Sequence, residues 1–302
     1  MPLSPSPIRW PAESIWQAVS PHLPGFTIEV LPEIDSTNTE LLRRFKSGRP
    51  KPTLLVAEQQ TAGRGRLGRQ WHSQRAGSLT FSLGLALQPV DWSGLSLAVG
   101  ISLADSLDPA LAADRNGGLH IGLKWPNDLW LCSPEGERKL AGILVETAGW
   151  AGQRYVVIGV GINISAAALA ALADASSGTS ADKRSSPTVS PMPPAALQEM
   201  LAGIDAPAAL LRVVAPLVQT VQAFAQFGFA PFQARFARRD VLAGRSVSVF
   251  DGKNTLEGSA FGVGDHGALR VHTADGMKEI TSSEVSVRPA TMPRPAKQVP
   301  PC

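Results

Sequence analysis

The densest chemistry in the sequence lies in the run Glu58-Gln-Gln-Thr-Ala-Gly-Arg-Gly-Arg-Leu-Gly-Arg69. Here Arg64, Arg66 and Arg69 alternate with Gly63, Gly65 and Gly68. Glycine lets a backbone approach a ligand closely, and a guanidinium grips a carboxylate or phosphate through two parallel N–H donors. Such a loop suits a compact anion, or two at once. The glycines also satisfy the dinucleotide pattern G-x-G-x-x-G, but that pattern needs a helix directly afterwards to meet the pyrophosphate. Residues 70–77 read instead as loop, and the chain from Ser78 onward as strand. Taken alone, the loop is also compatible with a solvated basic hairpin or a nonspecific nucleic-acid contact.

A second constellation follows. Lys124-Trp-Pro-Asn-Asp128 ends an apolar strand in a proline-fixed turn and presents an amide beside a carboxylate. Lys139 then opens the apolar stretch 140–145. A lysine at that place is either an edge residue snorkelling to water or a cation held against a reacting phosphate or carboxylate. Gly159-Val-Gly-Ile-Asn163 likewise ends a strand in a polar residue, and an asparagine there is a turn former or a ligand contact. The five histidines show no metal-ligand spacing, and no Walker A loop, G-x-S-x-G elbow or C-x-x-C pair occurs.

The elements that must carry these groups can be read from periodicity. A short helix is expected around 13–19, a strand at 26–31, and a helix from near Ser36, where Thr37 and Glu40 have capping-box spacing. Strands are expected at 54–57, 78–87, 121–125, 130–132, 139–148 and 155–164, with an amphipathic helix at 95–107. Residues 165–198 fall into Ala, Ser and Pro with few large apolar side chains and read as a mobile insertion that cannot fill a core. Helices resume at 206–227 and 231–239. Five short strands between 246 and 288 then suggest a small barrel.

Composition bounds the partners. The chain has 302 residues with 28 Gly and 25 Pro, and sixteen of the prolines fall in residues 1–32, 187–194 and 289–301. With 44% hydrophobic residues it is neither collagenous nor disordered throughout. The net charge of +3 is matched by the 58–75 segment alone, which holds four Arg against one Glu. Duplex nucleic-acid binders spread Lys and Arg over a face, so this concentration favours a compact anion such as a nucleotide. Cys132 and Cys302 are too few for a disulfide framework or a metal quartet. With no signal-peptide core and no run near 18 apolar residues, a soluble cytoplasmic protein without a membrane partner is expected.

Taken in order, Ser36-Thr-Asn38, the 63–68 loop, Lys124 to Asp128, Arg138-Lys-Leu-Ala-Gly-Ile-Leu-Val-Glu146 and Gly161-Ile-Asn163 resemble the biotin protein ligase (biotin–[acetyl-CoA-carboxylase] ligase) family. The resemblance runs from about residue 33 to about 164. It continues more loosely through Gly228-Phe-Ala-Pro-Phe232 into the β-rich end, covering about four fifths of the chain. It implies an α+β fold: a class II synthetase-like mixed sheet with flanking helices, followed by a small SH3-like β-barrel. The implied layout is a Pro-rich lead-in and first strand at 1–32 and a catalytic domain at 33–240 carrying the insertion at 165–199. The barrel follows at 241–289 and a disordered tail at 290–302.

The chemistry so implied joins biotin and ATP, with Mg²⁺, into biotinyl-5′-AMP. Biotin is then transferred to one lysine of the biotin carboxyl carrier domain of acetyl-CoA carboxylase, other carboxylases and the oligomeric state being left open. Matched to the family motif, Lys139, Arg66 and Arg64 are the catalytic cations. Ser36, Thr37, Asn38, Gln60, Gly63, Gly65, Trp71, Gly142 and Asn163 join those three around biotin and its adenylate. Arg69, Asn127, Asp128 and Lys139 face ATP, with Asp128 toward Mg²⁺, and Trp71 and Trp125 pack beside the ligand or in the core. Some members carry an N-terminal DNA-binding domain; only 35 Pro-interrupted residues precede Ser36, about half what a helix-turn-helix needs, so the monofunctional type and no DNA partner are expected. A lipoate-type acyl-adenylate ligase is the alternative.

Overall fold

A computed structural model describes residues 7–49, 51–112, 118–170, 194–250, 253–281 and 286–289. Seven strands form its main sheet: β1 (Thr27–Ile34), β2 (Thr53–Gln60), β3 (Ser78–Ala86), β4 (His120–Lys124), β5 (Asp128–Ser133), β6 (Gly136–Trp150) and β7 (Gln153–Asn163). Their order is β1-β2-β3-β7-β6-β5-β4. Only β1 and β2 pair in parallel; every other neighbour is antiparallel, so the sheet is mixed as expected.

Strand alternation divides the apolar residues between two faces. Leu54, Val56, Val156 and Ile158 enter the main core, whereas Leu55, Tyr155 and Val157 meet Leu41 and Phe45 of α2 (Thr37–Lys46). The Phe45 and Tyr155 rings stack at 4.8 Å. α1 (Ala12–Val19), α3 (Leu95–Leu107) and α4 (Ala206–Phe227) cover the main-core face. The Pro-rich lead-in therefore contributes to the core, through Ile15 and Val19, and the boundary expected at residue 32 falls inside β1.

Three further expectations are corrected. α2 is capped by Ser36, whose Oγ accepts from Thr39 N at 3.4 Å, while Glu40 pairs with Arg43 and Arg44 instead of closing a box on Thr37. By length and composition α4 is long and apolar enough to cross a membrane, although the sequence reading expected no such run. Half of its most apolar window is buried, with Leu210, Val213, Val214, Leu217, Val218, Val221 and Phe224 forming one stripe against the core. Lastly, the 165–199 insertion does help fill the core at its end: Ala195, Ala196 and Leu197 are fully buried, and Ala195 N donates to Lys139 O at 2.8 Å. Residues 171–193 of that insertion and the expected tail, 290–302, lie outside the described residues.

After α5 (Gln233–Arg239), strands β8 (Ser246–Phe250), β9 (Thr255–Val263), β10 (Leu269–Thr273), β11 (Gly276–Ile280) and β12 (Ser286–Pro289) form a second, antiparallel sheet in the order β11-β10-β9-β8-β12. Its buried Val247, Val249, Leu269 and Val271 continue the main core.

Candidate active site

An open cleft of about 740 Å³, counting the solvent in its mouth, lies over β6 and β7 between the start of α2 and the loop after β2. Its floor is glycine for a steric reason. A Cβ at Gly159 would overlap Asn38 Oδ1, and one at Gly161 would overlap the indole of Trp71. At Gly142, by contrast, a Cβ would meet Lys139 Nζ and the Trp71 ring only at ordinary contact distance.

One end of the cleft is a polar slot. Ser36, Thr37 and Asn38 are buried in the first turn of α2. Gln60 Oε1 accepts from Thr37 N at 2.8 Å and lies 3.1 Å from Thr37 Oγ1. Ser82 Oγ sits 2.7 Å from Thr37 Oγ1 and 2.6 Å from Asn38 Oδ1, and Ser73 Oγ accepts from Gln60 N at 2.8 Å. The slot is thus a network of hydroxyls and amides held by one another.

The other end is cationic. The loop folds back on itself, with Gly65 N donating to Arg69 O at 2.7 Å and Trp71 N to Gly63 O at 2.9 Å. Leu67 and Gly68 take left-handed conformations in succession, at φ 55° and 70°. This tight turn puts Arg66 and Arg69 on the same cleft. Burial holds the Arg66 guanidinium below its ordinary pKa; Asp128 pulls it back up and Arg69 lowers it further. A partly desolvated arginine beside another cation is improved by an arriving anion. The indole N–H of Trp71 is buried with no hydrogen-bond partner among the described residues.

Lys139 reaches this end because β6 is bulged. Leu129 and Trp130 of β5 pair with Ala141 and Lys139, so Leu140 is the extra residue. Leu140 and Ala141 are both buried in the core, and the slipped alternation aims Lys139 to the same side as Gly142. Bulges beside active sites re-aim side chains in this way. Lys139 Nζ lies 2.8 Å from Asp128 Oδ1 and 5.9 Å from the Trp71 ring centroid.

The turn carrying Asn127 and Asp128 is held from three sides. Asn127 Nδ2 donates to Ile143 O at 2.8 Å, Ser96 Oγ to Pro126 O at 2.9 Å, and Trp125 Nε1 to Gly267 O at 3.0 Å. Among the described residues, Asp128 is the one carboxylate lining the cleft, and no group of three His, Cys, Asp or Glu side chains suited to a metal occurs. One carboxylate suits a Mg²⁺ that arrives on phosphate oxygens and keeps most of its water.

The structure thus gathers Ser36, Thr37, Asn38, Gln60, Arg64, Gly65, Arg66, Arg69, Trp71, Asn127, Asp128, Lys139 and Gly142 around one cleft. It does not bring Gly63, Asn163 or Trp125 to the lining. A Cβ at Gly63 would overlap Trp71 O, so that glycine permits the loop to close on itself. Asn163 Nδ2 donates to Ala195 O at 3.1 Å, tying down the end of the insertion. Trp125 is buried against the second sheet. Sequence reasoning missed Ser82, Gly159 as a floor residue and Glu146 as a partner of Arg64. The Gly159-x-Gly161 pair, both on one face of a strand, was the available signal for the floor.

A molecule with a hydrogen-bonding head and an anionic or phosphorylated end fits this division. Two family models match the chain: "Biotin/lipoate A/B protein ligase family" over residues 30–163 and "Biotin protein ligase C terminal domain" over 243–288. The bifunctional ligase/repressor BirA of Escherichia coli is 35% identical over 274 residues, covering 89% of this chain and 76% of that protein. The chain belongs to the biotin protein ligase family. Within that family, the biotin–[acetyl-CoA-carboxylase] ligase of Paracoccus denitrificans is 29% identical, over 85% of this chain and 98% of its own length. The structure of the biotin protein ligase from Aquifex aeolicus in complex with biotin and ATP superposes with a TM-score of 0.66 at 28% identity, over 87% of this chain and 99% of that one. The mixed sheet and the small β domain are the biotin protein ligase fold.

Proposed function

We propose that this chain is an ATP-dependent biotin protein ligase. The observation that carries the reading is the polarity of one cleft, with a hydroxyl and amide slot at one end and Arg66, Arg69 and Lys139 around Asp128 at the other. A ureido ring offers two N–H donors and a carbonyl acceptor, which Ser36, Thr37, Asn38 and Gln60 can complement. The dithiolane head of lipoate offers neither and would gain none of these hydrogen bonds. The biotin tail then runs over Gly142 between Trp71 and Gly65, and its carboxylate arrives among the cations.

There a carboxylate oxygen attacks the α-phosphorus of ATP, the bond to the bridging oxygen breaks, and pyrophosphate leaves. Both reactants are anions, so catalysis consists chiefly of neutralising and aligning them for in-line displacement. Lys139 and Arg66 neutralise the carboxylate and the α-phosphate, while Arg69 and Asn127 hold the rest of the nucleotide. Asp128 would hold Mg²⁺, which supplies further charge neutralisation on the phosphates. Gly63 and Asn163 act indirectly, through the loop closure and Ala195. The amine of an acceptor lysine next attacks the acyl carbon, AMP leaves and an amide forms. The naming of the Paracoccus relative supports a carrier domain of acetyl-CoA carboxylase as acceptor.

The test is isotope exchange between pyrophosphate and ATP, run with biotin and with lipoate. Exchange that depends on biotin and is at least about 100-fold weaker with lipoate is expected; the reverse preference would transfer the chain to the lipoate branch.

A further inference from the structure

Two side chains assigned to different parts of the cleft end on one carboxylate oxygen. Glu146 Oε2, on β6, accepts from Arg64 Nη2 at 2.7 Å and from Asn38 Nδ2 at 2.9 Å. Asn38 Nδ2 also donates to Leu144 O at 3.2 Å, and its Oδ1 lies 2.6 Å from Ser82 Oγ. Both N–H groups of the Asn38 amide are therefore engaged, one of them by Glu146, while Oδ1 keeps a second lone pair.

Arg64 differs from Arg66 although both lie on the same loop. Arg66 is among the cations beside Asp128, whereas Arg64 turns to a carboxylate in the hollow that continues from the cleft past the loop. An arginine bonded there fixes the loop to the sheet while leaving Arg66 to face the anion. We propose that Glu146 is a positioning residue that latches the Gly-Arg loop through Arg64 and orients the biotin slot through Asn38. The proposal rests on the ligase reading and deepens it: Arg64 closes the mouth by holding protein, and the latch and the slot share one anchor. Arg64 is 43% exposed, so the latch should be worth a few-fold rather than orders of magnitude.

The two functions of the carboxylate can be separated. Glu146→Gln keeps an oxygen for Asn38 but removes the charge that holds Arg64, whereas Glu146→Ala removes both. Labelled biotinyl-adenylate formed on the full chain from biotin and ATP is chased with unlabelled biotin, and release is timed for wild type, Glu146→Gln, Glu146→Ala, Arg64→Ala and the Arg64→Ala/Glu146→Gln double variant. Glu146→Gln should release about three- to fivefold faster with a biotin KM within twofold of wild type. Glu146→Ala should match that release and raise the biotin KM about tenfold. The double variant should release no faster than Arg64→Ala alone. Wild-type retention in Glu146→Gln, or a double variant whose acceleration is the product of the singles, overturns the latch; an Ala variant with an unaltered biotin KM overturns the role at Asn38. If Glu146→Ala does not fold, the Gln variant and the double-variant comparison still decide the latch. A wild-type chain that forms no adenylate from biotin overturns the ligase reading and this proposal with it, whereas adenylate formed and held equally by wild type and Glu146→Gln overturns the proposal alone.

Discussion

Lys139 enters the cleft only because Leu140 is an extra residue in its strand. Its ammonium lies 2.8 Å from Asp128 Oδ1, and the same carboxylate acts on the Arg66 guanidinium. On the proposed chemistry, removing either cation would leave two anionic reactants less neutralised at the moment of attack. Lys139→Ala and Arg66→Ala should each lower biotin-dependent pyrophosphate exchange by roughly 10²–10³-fold, the range for losing one preorganised electrostatic contact. The folded near-ultraviolet spectrum should persist; unchanged exchange in both variants would remove these residues from the chemistry. Their types and spacing were visible in the sequence, because a lysine beside an apolar run and arginines among glycines break local pattern. Glu146 and Ser82 were not, since each looks like an ordinary strand residue until pairing places it under Asn38. Asn163 shows the converse, a conspicuous strand-end amide that binds a backbone carbonyl instead of the cleft.

At the scale of elements, periodicity located the helix at 95–107 and nearly every strand, since apolar alternation is a local property. It failed where a segment is recruited by distant partners. Residues 195–197 read as insertion because alanine carries little local signal, yet the carbonyl of Lys139 and the amide of Asn163 draw them into the core. The link from α5 to the second sheet is another such place. Asp240 forms a parallel bridge with Leu123 beside β4, and Val241 N donates to Leu123 O at 3.1 Å. Asp240 Oδ1 accepts from Leu242 N at 2.8 Å, while Oδ2 is buried without a partner among the described residues. Burial pushes this carboxyl from its ordinary 3.8 up to about 6. Because the folded state then holds its proton to higher pH than the unfolded chain, this group's contribution to stability falls as pH rises from about 4 to about 6, and the full penalty remains above that. Asp240→Asn keeps the acceptor for Leu242 N and cannot ionise. It should exceed wild type in unfolding free energy at pH 7.5 by about 2–3 kcal/mol, at about 1.4 kcal/mol per pKa unit, with the gap closing towards pH 4. Urea titrations at three pH values would show this, and a gap independent of pH would contradict it.

Across the whole molecule, the small sheet is fastened to the part of the main sheet that carries Asn127 and Asp128. Trp125, immediately before that turn, donates its indole N–H to Gly267 O, and Arg245 pairs with Glu137 at the start of β6. Arg239 is buried in bonds to Asp105, Asp108 and the carbonyl of Ile121, which fixes α5 against α3 and β4. Gly267 packs closely on the start of α3: at φ 77°, a Cβ there would lie 2.7 Å from Gly94 Cα and 3.2 Å from Gly94 N, so the clash is with backbone. Gly267→Ala therefore combines a strained left-handed alanine with a clash that must push the second sheet away from α3. The polar slot lies on α2 and β2, away from this junction, whereas the Asn127–Asp128 turn loses its Trp125 anchor. The ATP KM in pyrophosphate exchange should rise about tenfold while the biotin KM stays within twofold. Trp125→Phe, which keeps the ring but not the N–H, should move the ATP KM in the same direction by less. Were the biotin and ATP constants to rise together in both variants, the small domain would be stabilising the fold as a whole, and the specific link from Gly267 through Trp125 to the nucleotide end would be wrong.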